Sequence, residues 1–120
     1  MVENVEVCGY GKPFREFLHV QDMVDTCIFL LEIISEKDLY KMNITHINVG
    51  SGNEVTIKEL AECIKEIVNY QGGIKFNNSF PDGVSSKLLD STRINNLGWK
   101  AKINLYDGIK ESYKCLLNNN

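Results

Sequence analysis

Arg15 has the sequence setting that most favours binding of a ligand. It follows residues 9–13, a polar loop in which two glycines and a proline shape the backbone. Loops of this kind, hung between ordered elements, commonly carry binding groups. A planar guanidinium suits a phosphate because it can donate two parallel hydrogen bonds. The alternative on chemistry alone is a salt bridge from Arg15 to Glu16 or Asp22, which lie close in sequence.

A second polar loop, residues 77–86, contains the turn sequence Pro81-Asp82-Gly83 and leads directly to Lys87. The ammonium of Lys87 could make a second phosphate contact, and the carboxylate of Asp82 could accept hydrogen bonds from a ribose or a base. This pairing could complement Arg15, although residue types alone do not identify the ligand.

Residues 50–52, Gly-Ser-Gly, stand between a predicted strand and a predicted helix, as at the start of a dinucleotide-binding fingerprint. The full motif needs a third glycine for close packing of the helix, and Val55 occupies that position. A tight strand-to-helix turn is therefore the preferred interpretation.

Two other candidate groups are better explained by structure than by chemistry. Tyr106 and Lys110 have the Y-x-x-x-K spacing at which a phenol and an ammonium act together in some dehydrogenases. They fall in a terminal helix with no cofactor fingerprint before it, which favours packing or solvent exposure. His19 lies in an extended apolar segment without a second histidine or a cysteine nearby, so we expect a structural role.

The bulk properties are those of one ordinary globular domain of 120 residues, with 43% hydrophobic and 24% charged residues. The net charge of -3 disfavours a broad nucleic-acid surface, although a local basic pocket can still hold a phosphate. The longest apolar run, residues 27–34, is too short to span a bilayer, and the first residues do not form a signal peptide. We therefore expect neither nucleic acid nor a membrane as a partner.

The cysteines are widely spaced, contain no C-x-x-C pair and offer no zinc-ligand spacing, so no metal site is expected. They are interpreted as reduced thiols in a cytoplasmic protein. Cys27 and Cys63 fall within apolar helical patterns, where a free thiol is expected to pack as a small hydrophobe. The other two are Cys8 and Cys115.

The hydrophobic patterns predict an alternation of short strands and helices. Strands are predicted around Val5 and Val7, at residues 14–20, 45–49 and 74–76, with residues 87–90 extended. A helix is predicted from Asp22 to about Ser35, with Asp22 meeting unpaired N–H groups of its own first turn. A capping box predicts the next helix from Thr56 and Glu59, and the last two helices are capped by Thr92 and Asn104, before a frayed tail at residues 118–120.

Three runs in this order, GKPFREFLHVQDM, THINVGSGNEVTIKELAE and FPDGVSSKLLDSTRINNLGW, resemble the C-terminal portion of the GDP-L-fucose synthase family. These enzymes are NADP-dependent epimerases and reductases among the extended short-chain dehydrogenases. The first two runs are similar across the extended family, whereas the PDG…KLLD…LGW run is similar to the GDP-sugar enzymes in particular.

The resemblance implies an α/β fold, a small mixed substrate-binding lobe with about four helices and short strands, formed by residues 1–120 as a single domain. It implies that the Rossmann domain, with NADP and the catalytic serine, tyrosine and lysine, lies outside this chain, which would bind no cofactor itself and be inactive alone. The whole enzyme converts GDP-4-keto-6-deoxy-D-mannose to GDP-L-fucose by epimerisation and reduction with NADPH.

By the same resemblance, Arg15 is expected on the phosphates of a GDP-sugar, with Asp82 and Lys87 around the GDP moiety. Cys8 stands where the family usually has tryptophan, so a stacking contact expected there would have to come from elsewhere, and Tyr10 could supply it.

The apolar helix from Asp22 is expected to pack on the Rossmann sheet, leaving an apolar patch around Ile28, Phe29 and Ile33 in the isolated chain or burying it by self-association. The family is homodimeric. Two alternatives remain open on the sequence. One is a free-standing GDP-sugar-binding or regulatory module, or a subunit of a split enzyme, and the other is a structural domain that recruits a protein partner.

Overall fold

Four short strands in two separate two-stranded sheets and five helices make up the computed structural model, which describes residues 3–118. In chain order the elements are β1 (Asn4–Cys8), β2 (Phe14–Glu16), α1 (Val20–Ile33), α2 (Glu36–Lys41), β3 (Glu54–Thr56), α3 (Ile57–Ile67), β4 (Gly73–Asn77), α4 (Thr92–Asn96) and α5 (Leu105–Asn118). Strand β1 pairs in parallel with β4, and β2 pairs antiparallel with β3. The predicted α/β class, a small mixed lobe with short strands, is confirmed.

The β2–β3 pair organises the loops that carry the candidate binding residues. Its register places Arg15 opposite Val55 and Glu16 opposite Glu54. Successive side chains of a strand point to opposite faces, so the arginine and the glutamate of β2 project in opposite directions. On the free edge of β2, the N–H of Phe14 donates to the carbonyl of Ser85 at 2.8 Å. The loop that precedes α4 therefore runs beside β2.

Helix α1 is inverted with respect to an ordinary amphipathic helix. Its buried residues are polar, Asp22 and Thr26, each only 1% exposed. The hydroxyl of Thr26 donates to the carbonyl of Asp22 at 2.7 Å, as expected for a buried polar group that needs a partner. Large apolar side chains of the same helix are exposed instead, namely Val20, Met23, Val24, Ile28, Leu31 and Ile33.

The chain is extended for its length. Its radius of gyration is 17.9 Å, whereas a compact domain of this size has one of about 13–14 Å. Among the described residues, Ile94 and Trp99 are the large apolar side chains that are buried. The lobe therefore leaves much of its apolar surface in solvent. Within residues 3–118, no helix combines the length and the apolar character needed to cross a membrane.

The elements defined by local sequence signals form as predicted. Strands β1 and β4 cover the predicted apolar alternations. Asn104 directly precedes α5, and its side-chain oxygen accepts from the N–H of Asp107 at 2.9 Å. The capping box of α3 is complete. Thr56 Oγ1 accepts from the N–H of Glu59 at 3.1 Å, and the Glu59 carboxylate accepts from the N–H of Thr56 at 2.7 Å.

Asp22 lies in the first turn of α1 as predicted, but the helix starts earlier and the expected pairing of its carboxylate with the N–H groups of that turn is wrong. The helix begins at Val20, and the N-cap is His19, whose Nδ1 accepts from the N–H of Gln21 at 3.3 Å. The carboxylate of Asp22 turns away from its own helix to the distant segment 101–103. The predicted strand over residues 14–20 is correspondingly shorter and ends at Glu16.

Residues 45–49 were expected to form a strand and do not, and residues 87–90 also lie outside the strands. A strand exists only where a ladder partner exists, and within residues 3–118 neither segment forms one. Thr92 is the first residue of α4 rather than its cap, because its N–H is held by the carboxylate of Asp90. Of the tail, Asn118 belongs to α5, and residues 119–120 lie outside the described part of the chain.

Two short elements were missed. Helix α2 begins with a second capping box, in which Ser35 and Asp38 exchange hydrogen bonds, but its six residues show no long apolar period. Strand β3 is three residues long and lies where the sequence predicts the end of a turn. Both are too short for periodicity to reveal.

The capping box of α3 predicts an acid-sensitive helix start. Hydrogen bonds from Thr56 lower the pKa of Glu59 below its ordinary value of 4.5. A carboxyl whose pKa is lower in the folded state stabilises that state above pH 4.5, and the contribution is lost as the pH falls through the folded pKa. We expect the protection of the first-turn amides of α3 against exchange, measured relative to the intrinsic exchange rate at each pH, to fall below this pH. In Glu59→Gln, which keeps an acceptor oxygen but cannot titrate, that protection should not change with pH. An equal pH dependence of the protection in both proteins would contradict this origin.

Candidate functional site

The guanidinium of Arg15 is held in place by backbone carbonyls. Nη1 donates to the carbonyl of Phe14 at 2.6 Å and to that of Val84 at 2.9 Å. These two bonds use both hydrogens of Nη1 and leave the Nε–H and Nη2 donors, the edge that binds an oxyanion side-on. The alternative of a salt bridge to Glu16 or Asp22 is wrong, because within the described residues both carboxylates accept from backbone N–H groups elsewhere.

Asp82 joins the two candidate loops. Its Oδ1 accepts from the N–H of Tyr10 at 2.6 Å, and the carboxylate lies against the Cα of Gly9. A Cβ at position 9 would overlap that carboxylate, and the φ of +84° also favours glycine there. Asp82 therefore has a structural contact that the sequence did not predict, made through one of its two oxygens.

Lys87 lies in a segment attached at both ends. The hydroxyl of Ser86 donates to Oε1 of Glu54 at 2.5 Å, and the N–H of Leu89 donates to Oε2 of Glu16 at 3.0 Å. The side chain of Lys87 itself is exposed. Glu16 and Glu54 were not singled out from the sequence, because only the cross-strand register brings residues 38 positions apart into one pair.

Cys8 and Tyr10 lie at the start of the first loop, and both are exposed. The ammonium of Lys12 lies 5.5 Å from the centroid of the Tyr10 ring, a cation–π distance. The loop therefore presents a second cation near Arg15 in sequence, together with an aromatic ring that is half exposed. A stacking role for Tyr10 in place of the family tryptophan stays a prediction.

The residues predicted to bind a substrate thus lie on two neighbouring loops. Cys8 and Arg15 flank the first loop, whereas Asp82 and Lys87 belong to the second, and the contacts of Asp82 and Arg15 hold the loops together. A cavity lined by Phe17 and by residues of the segments 51–55 and 101–105 includes none of these four. The two loops are therefore neighbours in the fold, as a shared site requires.

Residues 50–52 do not fit the phosphate of a dinucleotide. The N–H of Gly52 donates to Oε1 of Glu16 at 2.7 Å, and the same carboxylate fills the space beside the Cα of Gly50. A carboxylate in this position would repel a phosphate and already uses the amide that would bind it. The turn is therefore structural, and the residues present here give no place for NADP.

His19 has contacts of the structural kind that the sequence predicts. Besides capping α1, its ring packs against Gly108, and Nε2 lies 3.9 Å from the carboxylate of Glu111. Tyr106 and Lys110 fall in the first two turns of α5, where Tyr106 borders a groove along α3. For this pair, packing or exposure stays a prediction.

All four cysteines are free. Cys63 is half-buried on α3, and burial raises the pKa of its thiol, with a further increase from Glu66. An inert thiol packed as a small hydrophobe fits this setting. The same expectation for Cys27 is wrong, because Cys27 is exposed on the apolar outer side of α1.

Comparison with known proteins gives matches along the whole chain. The family model described as the NAD dependent epimerase/dehydratase family matches residues 1–50. Over 97% of its length the chain is 49% identical to a probable GDP-L-fucose synthase 1 of Oryza sativa subsp. japonica and 44% identical to the GDP-L-fucose synthase of Escherichia coli (strain K12). It spans 33% and 37% of the lengths of these relatives.

Solved structures of related proteins superpose on the same region. A GDP-6-OMe-4-keto-L-xylo-heptose reductase from C. jejuni is 42% identical over 98% of the chain, with a TM-score of 0.89. The GDP-mannoheptose C4 reductase from Campylobacter jejuni with NADP bound is 41% identical over 96% of the chain, with a TM-score of 0.82. In each case the match covers 35% of the larger protein, and it corresponds to the C-terminal portion of such enzymes.

Proposed function

We propose that the chain belongs to the NAD dependent epimerase/dehydratase family, whose model matches residues 1–50, and that it forms the GDP-sugar-binding lobe of a GDP-L-fucose synthase. The supporting similarity is to the C-terminal third of GDP-L-fucose synthases. The observation that carries this proposal is the fixed guanidinium of Arg15, whose Nε–H and Nη2 edge remains available beside a second loop with Lys87. The whole enzyme would convert GDP-4-keto-6-deoxy-D-mannose to GDP-L-fucose by epimerisation and reduction with NADPH.

In this proposal the lobe binds and orients the nucleotide rather than carrying out proton or hydride transfer. Arg15 and Lys87 neutralise the diphosphate, and the second oxygen of Asp82 accepts from the guanine base or the ribose. NADPH, when bound by the rest of the enzyme, would supply the hydride. Holding the sugar in one orientation lowers the entropic part of the activation barrier. Because the lobe contributes only this orientation and no proton or hydride transfer, the isolated lobe is inactive.

The inverted pattern of α1 supports a lobe that belongs to a larger body. Leu31 is 84% exposed and Ile28 is 52% exposed, whereas the buried side of the helix carries Asp22 and Thr26. Of the apolar patch expected from the sequence, Ile28 and Ile33 are exposed and Phe29 is half-buried. We propose that the N-terminal two-thirds of the enzyme packs on this outer side of α1, because an apolar face of this extent is unfavourable in water.

Without such a cover, the chain is expected to self-associate through α1. Leu31→Lys should raise the dissociation constant of self-association by about tenfold or more, because association would then bury an ammonium against apolar side chains. Sedimentation velocity over a concentration series measures this, with Glu62→Lys on α3 as the matched control. Equal self-association of the two variants would exclude α1 as the contact.

A second candidate is a free-standing GDP-sugar-binding module or a subunit of a split enzyme. It is favoured by the contacts of Arg15, Asp82 and the Lys87 segment, which all come from within the chain, so the two loops are held in place without another domain. Mixing the chain with the N-terminal two-thirds of a GDP-L-fucose synthase distinguishes a part of an enzyme from a separate module. Recovered reductase activity supports the lobe or the subunit of an enzyme, whereas GDP binding without recovery supports the free-standing module.

Nucleotide selectivity tests the proposed function itself. Amide resonances of the chain are recorded during titration with GDP, UDP and NADP. We expect GDP to shift resonances in residues 9–16 and 81–89, with weaker effects from UDP, and NADP to leave residues 50–52 unchanged. A chain that is folded but does not respond to GDP would contradict the proposal and leave the third alternative, a structural domain that recruits a protein partner.

A further inference from the structure

Two carboxylates stand directly opposite each other in the β2–β3 pair. Glu16 and Glu54 are partners in the antiparallel register, so their side chains project from the same face. Like charges at such positions destabilise a strand pair. Their presence therefore calls for a set of hydrogen-bond donors that offsets the repulsion.

The donors come from outside the strand pair. Glu16 uses both oxygens as acceptors, one for the N–H of Gly52 at 2.7 Å and one for the N–H of Leu89 at 3.0 Å. Glu54 uses one oxygen, which accepts from the hydroxyl of Ser86 at 2.5 Å. Hydrogen bonds to an ionised carboxylate are about twice as strong as neutral ones. Two of the three donors, the hydroxyl of Ser86 and the N–H of Leu89, lie on either side of Lys87 in the chain.

We propose that Glu16 and Glu54 are positioning residues that hold Lys87 where its ammonium can share a phosphate with Arg15. This inference rests on the proposed function, since it concerns the same nucleotide site. The contact of Arg15 with the same segment supports this inference, because the carbonyl of Val84, three residues before Lys87, accepts a hydrogen bond from Arg15. The segment that carries Lys87 is thus attached to β2 on both sides of the lysine, through Val84 and Ser85 before it and through Leu89 after it.

The two carboxylates have different requirements, which makes the inference testable. Glutamine has one acceptor oxygen and a donor NH₂ group. At position 54 a glutamine can still accept from Ser86, and it removes the like-charge repulsion. At position 16 it can accept from Gly52 or from Leu89, and its NH₂ then faces the other N–H. Substitution by glutamine should therefore leave GDP binding nearly unchanged at position 54 and weaken it at position 16.

GDP affinity of a set of variants tests the positioning role. Calorimetric titration with GDP should give about tenfold weaker binding for Lys87→Ala and about five- to tenfold weaker binding for Glu16→Gln, with Glu54→Gln within about twofold of the wild type. Glu54→Ala should weaken binding about threefold to tenfold, because the anchor of Ser86 is lost, so Glu54→Gln counts as rescue.

The double variant separates positioning from general stability. In the Lys87→Ala background, Glu16→Gln should have little further effect on GDP affinity, because the group that it positions is already absent. A Glu16→Gln effect of equal size in both backgrounds would overturn the inference. Equal affinity of the wild type and the single variant Glu16→Gln would also overturn it.

Amide exchange without ligand separates this inference from the proposed function. Glu16→Gln should speed exchange at Gly52 and Leu89, whereas Glu62→Gln, on exposed α3 surface, should not. If the wild type does not bind GDP, the proposed function fails and the role toward phosphate fails with it. If the wild type binds GDP but the variants do not differ as described, only the positioning role is wrong.

Discussion

Arg15→Ala is expected to weaken GDP binding by about 10- to 100-fold. A phosphate at the Nε–H and Nη2 edge would receive charge-assisted hydrogen bonds, which contribute about 1.5–3 kcal/mol, and each 1.4 kcal/mol corresponds to about a factor of ten in affinity. The side chain is already oriented by the carbonyls of Phe14 and Val84, so little rotamer entropy is lost when the phosphate binds. Calorimetric titration of the purified chain with GDP measures the change.

Arg15→Lys and Arg93→Ala are the comparisons that interpret this result. The lysine keeps the charge but not the planar fork, so we expect an intermediate loss of about tenfold. Arg93 lies on α4 and donates to the carbonyl of His46 at 3.2 Å, away from both loops, so its removal should leave GDP affinity within about twofold. Equal losses for Arg15→Ala and Arg93→Ala would indicate general electrostatics rather than a phosphate site.

Asp22→Ala should be among the most destabilising substitutions, with a loss of about 3 kcal/mol in the free energy of unfolding. The carboxylate is 1% exposed and accepts from the N–H groups of Lys102 and Ile103, at 3.1 and 3.0 Å. Removing it leaves two part-buried donors without this acceptor, each costing about 1–3 kcal/mol. Urea unfolding gives the change from the midpoint, provided that the slope stays constant.

Asp22→Asn and Asp25→Ala complete the test of this contact. Asparagine keeps one acceptor oxygen and nearly the same volume, so about half of the loss is expected. Asp25 is on the same helix and accepts only from the side chain of Gln21 at 3.1 Å, so its removal should change stability by about 0.5 kcal/mol or less. A loss for Asp25→Ala as large as that for Asp22→Ala would mean that helix propensity or charge, not the buried contact, decides stability.

The elements that follow from the sequence are those whose signals are local. The capping box of Thr56 and Glu59 and the cap at Asn104 lie within four residues of the helices that they start, and both form as predicted. Asp22 shows the limit of such reasoning, because an acidic residue at a helix start ordinarily serves that helix. Here it binds a segment 80 residues away, and no local pattern encodes that choice.

The residues of the candidate site also divide into those that the sequence identifies and those that only the structure shows. Arg15, Asp82 and Lys87 could be singled out because polar loops and the family resemblance identify them. The carboxylates that hold those loops, Glu16 and Glu54, could not be found, since each looks like an ordinary strand glutamate until the register pairs them. The predicted strand at residues 45–49 failed for a related reason, because strand formation depends on a partner edge.

For helix α1, the sequence predicts the helix and its apolar composition correctly but does not predict which side of the helix is buried. The sequence predicts a helix that is apolar on most sides, and the structure assigns the buried side to Asp22 and Thr26. Which apolar side chains remain exposed depends on the hydrogen bonds that the N–H groups of Lys102 and Ile103 donate to Asp22, because these bonds fix the rotation of the helix about its axis. That preference is tertiary and lies beyond any periodicity argument.

The most direct test of the account is the Nε–H resonance of Arg15 during titration with GDP. Because Nη1 is occupied by two carbonyls, a phosphate can only be received on the Nε–H and Nη2 edge. We predict a downfield shift of the Arg15 Nε–H signal that saturates together with the amide shifts of residues 81–89. An Nε–H signal that stays unchanged while GDP shifts other residues would show that the nucleotide binds elsewhere and would contradict the account.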